Sequence, residues 1–121
     1  MPKYLLQIIE AEEVYAEMSP EESQQVMEMH NDFSRAVVAA GASILGGEAL
    51  LPTATAKYLR STRTDAVTLV DNPAPELKEV LGGYYLIETA DEDQAVELAK
   101  LCPCGTGYIE VRPIWEFDAG A

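Results

Sequence analysis

Three features of this chain predict an α+β fold. Apolar runs of strand length recur at residues 3–9, 43–51, 55–60, 66–70, 84–88 and 107–117, each bounded by turn or polar residues. Two segments carry helix-start chemistry, Ser19-Pro20-Glu21-Glu22 and Asp91 with Gln94 three residues on. Their order is β-α-β-β-β-loop-β-α-β. With the middle hairpin and loop treated as an insertion, this is the split βαβ, or ferredoxin-like, arrangement.

The elements follow in order. Residues 3–9 read as a strand closed by Glu10, and residues 10–18 as acidic and irregular. Ser19 can cap a helix, Pro20 suits its first position, and Glu22 completes a capping box. That helix runs to Ala40, where Gly41 can take the left-handed conformation that ends it. Val26, His30, Phe33, Val37 and Ala40 share one face at helical spacing. Residues 43–51, 55–60 and 66–70 read as a meander, interrupted by Pro52-Thr53 and by polar residues 61–65.

A loop over residues 71–81 follows, with one helical turn expected at 75–81, then a strand at 84–88. The second helix opens at Asp91 and buries Ala95, Leu98, Ala99 and Cys102; Pro103 and Gly105 end it. In 107–117, Ile109, Val111, Trp115 and Phe117 lie on one side, and Tyr108, Glu110, Arg112 and Ile114 on the other. Pro113 lacks an N–H, which puts it at an edge or beyond the paired region.

Two helices cover only one face of such a sheet. Residues 4–9 are apolar on both faces save Gln7, and residues 84–87 are apolar on both. The second face needs cover. The simplest source is the same face of a second copy, so the sequence predicts a homodimer with its two sheets packed together, a dimeric α/β barrel.

Composition narrows the function classes. The 121 residues suit one domain, 1–121. Eight Lys and Arg against 21 Asp and Glu give a net charge of −13, which repels phosphate backbones and anionic membranes; neither nucleic acid nor a membrane is an expected partner. There is no apolar run long enough to span a bilayer, and the first ten residues do not read as a signal peptide, so a cytoplasmic protein is expected. Cys102 and Cys104 are one residue apart, a spacing that rarely closes a disulfide, and no second Cys pair or His cluster completes a zinc site. No phosphate-binding glycine loop precedes a helix. No metal and no cofactor are expected.

The stretch Asp71-Asn72-Pro73-Ala74-Pro75-Glu76-Leu77-Lys78-Glu79-Val80-Leu81-Gly82-Gly83-Tyr84-Tyr85 puts acids, a lysine, prolines and a diglycine between two apolar runs. Long structured connections of this kind are often binding loops. Its Asp71, Pro73, Glu76, Lys78, Gly82, Gly83 and Tyr84, with the Ser19-Pro20-Glu21-Glu22 start, His30, Gly46-Gly47-Glu48, Leu50, Pro52 and Glu110-Val111-Arg112-Pro113, resemble the YCII-related proteins. The branch they resemble is the one named for a D-G-P-F motif. The resemblance covers residues 3–113 and implies a ferredoxin-like dimeric α/β barrel. Asn72 stands where that motif has Gly, and Ala74 where it has Phe, which removes an aromatic anchor and implies a wider or reshaped pocket.

The resemblance also implies a histidine and an aspartate as the candidate active-site pair. Here these are His30, the only histidine, as general acid or base, and Asp71 at the mouth of the loop as its orienting group. The plainer readings are a structural histidine and a turn aspartate. Glu48, Tyr84 and Arg112 are the candidates for substrate contact: a carboxylate behind a diglycine, a phenol, and a planar fork for carboxylates. Tyr84 and Tyr85 alternate to opposite faces, so one of them can line a pocket. The leading expectation is a small-molecule pocket in a proton-transfer lyase or isomerase. The alternative is a non-catalytic ligand-binding or regulatory module. The resemblance ties that module to sigma-factor signalling, since relatives of this branch are often encoded near alternative sigma factors.

Overall fold

Residues Lys3–Glu10 form the first strand, β1, and bury every second side chain: Tyr4, Leu6, Ile8 and Glu10. That alternation is the period of a half-buried strand, and it carries one residue further than the apolar run, to Glu10. The computed structural model describes residues 1–71 and 79–117. Among these, β1 is followed by α1 (Glu12–Ala16), α2 (Pro20–Ala39), β2 (Ser43–Ala49), a 3-10 turn (Thr53–Thr55), β3 (Lys57–Arg60), β4 (Thr68–Asp71), β5 (Val80–Glu88), α3 (Glu92–Ala99) and β6 (Tyr108–Pro113).

The capping signals place both long helices. Ser19 Oγ accepts from the Glu22 N–H at 3.1 Å, and Glu22 Oε1 accepts from the Ser19 N–H at 3.4 Å. At the other end Gly41 has φ +77°. Its N–H donates to Val38 O, and the Ala42 N–H donates to Val37 O, the paired bonds of a Schellman termination. Asp91 Oδ1 accepts from the Gln94 N–H at 2.8 Å. Gln94 Nε2 reaches Ala40 O at 3.0 Å and ties the start of α3 to the end of α2.

The main sheet is antiparallel, in the order β2-β5-β1-β6, the strand arrangement expected of a split βαβ unit. Phe33 and Val37 of α2 and Ala95, Leu98 and Ala99 of α3 pack with Tyr4, Leu6, Ile8 and Ile87 in one cluster, so both long helices lie on the same face. The opposite face carries Leu5, Gln7, Ile9, Tyr84 and Leu86, all half-buried.

Four details differ from the sequence reading. Residues 12–16 form a helical turn instead of an irregular segment. β3 and β4 pair only with each other, as a ribbon exposed at every position, and β2 joins the main sheet instead of a meander. β5 starts at Val80, ahead of its diglycine, so Val80 and Leu81 are strand and not part of a helical turn; residues 72–78 lie outside the described residues. β6 stops at Pro113, where the missing N–H ends the ladder, and Trp115 and Phe117 stack on each other in solvent, centroids 5.4 Å apart.

Candidate functional site

His30 projects from the middle of α2 toward β5, where Nδ1 lies 2.7 Å from the Tyr85 hydroxyl. The Tyr85 ring is held from two other sides. Phe33 packs against it with centroids 4.8 Å apart, and Gly47 of β2 lies beneath it. A Cβ at Gly47 would come 2.7 Å from a Tyr85 ring carbon and 2.9 Å from Tyr84 O, so that strand position must be glycine for the phenol to lie where it does. Burial lowers the His30 pKa and raises that of Tyr85; both causes favour the neutral form. A neutral phenol can donate to a neutral imidazole. The bond can run either way: the Tyr85 hydroxyl donates to Nδ1 when the proton of His30 is on Nε2, and Nδ1–H donates to the phenol oxygen in the other tautomer, which leaves Nε2 a bare acceptor.

The two side chains stand on the wall of a cavity of about 490 Å³ between α1, α2 and the ends of β2 and β5. Its size is that of a small-ligand site. Most of its surface is apolar, from Ile8, Val26, Met27, Leu50 and Leu51 among others. Glu10 contributes a carboxylate from the end of β1. Its Oε2 accepts from the Tyr15 hydroxyl at 2.5 Å. Burial pushes the Glu10 carboxyl above its ordinary range, and the Tyr15 bond partly offsets this. Glu12 closes one rim: its two carboxylate oxygens accept from the Thr53 N–H at 2.5 Å and the Thr53 hydroxyl at 2.8 Å, which staples α1 to the 3-10 turn after β2.

The second diglycine has a similar reason. A Cβ on Gly82 would lie 2.5 Å from Glu10 Oε1, and one on Gly83 would lie 3.0 Å from Glu48 O. The strand slips by a residue at this point, between Ile8 and Ile9, so the bare backbone of β5 curls around the Glu10 carboxylate.

The five residues singled out from the sequence separate into three places. His30 is on the cavity wall. Glu48 and Tyr84 border the same cavity, but they are register partners of one another and of Gln7. Alternation from Tyr85 sends their side chains off the opposite face of the sheet. Arg112, paired in register with Leu5, belongs to that opposite face too and makes an ion contact with Glu110 at 2.5 Å. Asp71 ends β4 on the exposed ribbon, where Lys57 Nζ lies 3.0 Å away; it is not among the cavity residues, and His30 pairs with Tyr85. Glu10, Tyr15 and Tyr85 complete the site and were not singled out. The only sequence signals for them are the period of β1, which continues to Glu10, and the alternation that makes Tyr84 and Tyr85 alternatives.

Among the described residues, no three His, Cys, Asp or Glu side chains are grouped to hold a metal ion. Cys102 is buried, and burial pushes its thiol up to about 12. Cys104 is half-buried and shifted the same way. Among the described residues no helix is long and apolar enough to cross a membrane.

An antiparallel sheet with both long helices on one face, and a cavity walled by a tyrosine-bound histidine at its edge, define a small α+β protein with a built recess. The YCII-related domain model matches residues 3–118, and the chain belongs to that family. A relative in Rhizobium meliloti (strain 1021), an uncharacterised protein, is 36% identical over 113 residues, covering 90% of this chain and 89% of the relative.

Proposed function

We propose that this chain binds a small organic molecule in the cavity beneath α2, and that His30 exchanges a proton with it. The observation that carries the reading is the 2.7 Å bond from the Tyr85 hydroxyl to His30 Nδ1 on the wall of that cavity. It holds the ring in one orientation and leaves Nε2 without a partner among the described residues, placed to polarise a ligand oxygen as N–H or, in the other tautomer, to accept a proton from the ligand as a base. Tyr85 thus takes the orienting role for which Asp71 was the sequence candidate. Glu10 is the carboxylate placed to accept a proton. A lyase or isomerase acting by proton transfer is the reaction class these groups suit.

The position of Asp71, ion-paired to Lys57 on the ribbon, favours a second reading, a ligand-binding or regulatory module without turnover. Two variants separate them. His30→Gln and Tyr85→Phe should both weaken ligand binding, read by thermal shift with a fragment set. Only the enzyme reading also predicts loss of ligand consumption, followed by NMR of the ligand. Unchanged binding in His30→Gln would remove the histidine from the site.

The proposal includes a homodimer formed through the helix-free sheet face, supported by the half-buried Leu5, Ile9 and Leu86 there. Glu48, Tyr84 and Arg112 would then contribute to that interface instead of to substrate. Membership of the D-G-P-F branch rests on Asp71, Pro73 and the Gly82-Gly83-Tyr84 triplet. A cytoplasmic setting is supported by the two free thiols.

A further inference from the structure

We propose that the ligand of this cavity is an organic cation: a protonated amine on an apolar or aromatic body, its ammonium seated on Glu10. The inference deepens the reading that the cavity binds a small molecule and rests on it.

Glu10 as a residue is only 8% exposed, yet its carboxylate borders the cavity. Oε2 is occupied by the Tyr15 hydroxyl. Oε1 has no donor among the described residues and lies against the bare backbone of Gly82, and both residues border the cavity. Oε1 is thus the free acceptor of a nearly buried carboxylate, and a charged donor on a ligand would make a strong bond to it.

The other acids are already committed. Both oxygens of Glu12 are taken by Thr53, and the Glu48 side chain leaves the sheet on the other face. One carboxylate is left to the cavity, which matches a single positive charge.

Among the described residues, no permanently cationic side chain on the wall would hold an anion. Among the described residues no lysine or arginine lines the cavity, and His30, the one lining group that could become cationic, is disfavoured as a cation by burial. A ligand carboxylate or phosphate would enter a recess bordered by acids in a chain of net charge −13. The body of the ligand is set by the remaining wall, chiefly Ile8, Val26, Met27, Leu51 and the Tyr85 ring, whose phenol face also suits a cation or an aromatic ring.

Binding of an ammonium stabilises ionised Glu10, so it couples to proton release. The groups that face Glu10 are Tyr15 and Glu12 from α1, His30 from α2, Tyr85 from β5, and Cys102 and Cys104 from the segment between α3 and β6. The two thiols and Tyr15 are held protonated by burial. Affinity for an ammonium should therefore rise with pH as Glu10 ionises.

The test is isothermal titration of the full chain with 2-phenylethylammonium, neutral 2-phenylethanol and anionic phenylacetate. The ammonium should bind at least about tenfold tighter than the alcohol, a difference of roughly 1.4 kcal/mol, and phenylacetate more weakly than either. Glu10→Gln should erase the preference for the ammonium over the alcohol. Phenylacetate binding as tightly as the ammonium, or an ammonium affinity unchanged in Glu10→Gln, overturns the inference. An alcohol that binds with no preference for the ammonium also overturns it, while leaving the small-molecule reading intact. Failure of all three probes to bind overturns both. Should Glu10→Gln not fold, Tyr15→Phe serves: it removes the bond that favours the ionised carboxylate, so the pH midpoint of ammonium binding should move up. An unmoved midpoint overturns the inference.

Discussion

The Tyr85 hydroxyl lies 2.7 Å from His30 Nδ1, across 55 positions of sequence. It joins the middle of α2 to the second strand of the sheet and fixes which imidazole nitrogen faces the cavity. The expected tautomer is neutral with the proton on Nε2, read directly from the two ring-nitrogen chemical shifts in a ¹⁵N NMR spectrum at neutral pH. Tyr85→Phe should cost about 1 kcal/mol in urea denaturation, the usual net worth of such a bond, and should relax the tautomer preference. A proton found on Nδ1 in the wild type would make Nδ1–H the donor to the phenol oxygen and Nε2 the bare acceptor.

Two neighbouring glycines in β2 should respond oppositely to the same change. A Cβ on Gly47 would strike the Tyr85 ring and the Tyr84 carbonyl, whereas Gly46 has nothing within 4 Å and no positive φ. Gly47→Ala should destabilise the fold by about 1–3 kcal/mol, the range for forced overpacking, and should shift the His30 resonances because Tyr85 must move. Gly46→Ala should be neutral or stabilising by up to about 1 kcal/mol through the unfolded chain. Denaturation midpoints of the two variants, measured side by side, decide it.

Stability should depend on pH through two groups with opposite signs. The folded-state pKa of His30 lies below its ordinary value because of burial. Between the two values the unfolded chain binds more protons, so stability rises with pH and is lost as pH falls below about 6.5. The folded-state pKa of Glu10 lies above its ordinary value, again from burial. There the folded chain binds more protons, so stability falls as pH rises from about 4.3 through the raised value. His30→Gln should remove the loss on the acid side of neutrality, and Glu10→Gln should remove the decline above the ordinary carboxylate range. Denaturation midpoints taken between about pH 4.5 and 7.5 would show each slope vanish separately.

What could be read in advance was whatever the chain encodes locally. The capping box of Ser19 with Glu22, the left-handed Gly41 and the Asp91 cap are short-range hydrogen-bond devices, and each lies where its residue types put it. His30 falls on the inward face of α2 because helical spacing requires it. The misses have tertiary causes. Val80 and Leu81 read as the end of the loop, yet β5 begins at Val80; Gly82 and Gly83, which suit close packing at strand entry, have the Glu10 side chain and the Glu48 carbonyl against them. The helical turn at Glu12–Ala16 has no side-chain cap; Glu12 is instead pinned by Thr53, 41 positions away. The choice of Tyr85 over Tyr84 turns on pairing register, and the one-residue slip between Ile8 and Ile9 falls at Gly82, where the diglycine permits a bulge at strand entry. Asp71 and Arg112 were chosen by residue type, and each has a salt-bridge partner nearby in the structure.

The sheet face without helices offers the last test. Its register rows place Leu5 beside Leu86 and Arg112, and Ile9 beside Leu81 and Tyr108, with Gln7, Tyr84, Glu48 and Glu110 as a polar row between them. Glu110 Oε1 is buried in that row and accepts no aligned hydrogen bond, although Arg112 Nε is close by. Apolar rows on one surface are what a second sheet packed against it would cover. Sedimentation equilibrium at micromolar concentration should therefore give twice the chain mass. The double variant Leu5→Glu with Leu86→Glu should give the single chain mass and keep the wild-type far-UV circular dichroism, because neither side chain enters the cluster around Phe33. The cavity is built from β1, β2, β5, α1 and α2 of one chain, so this monomer should still bind the cavity ligand. A wild type that sediments as a monomer removes the dimer but not the cavity, and loss of ligand binding in a folded monomer would show that the partner contributes to the site.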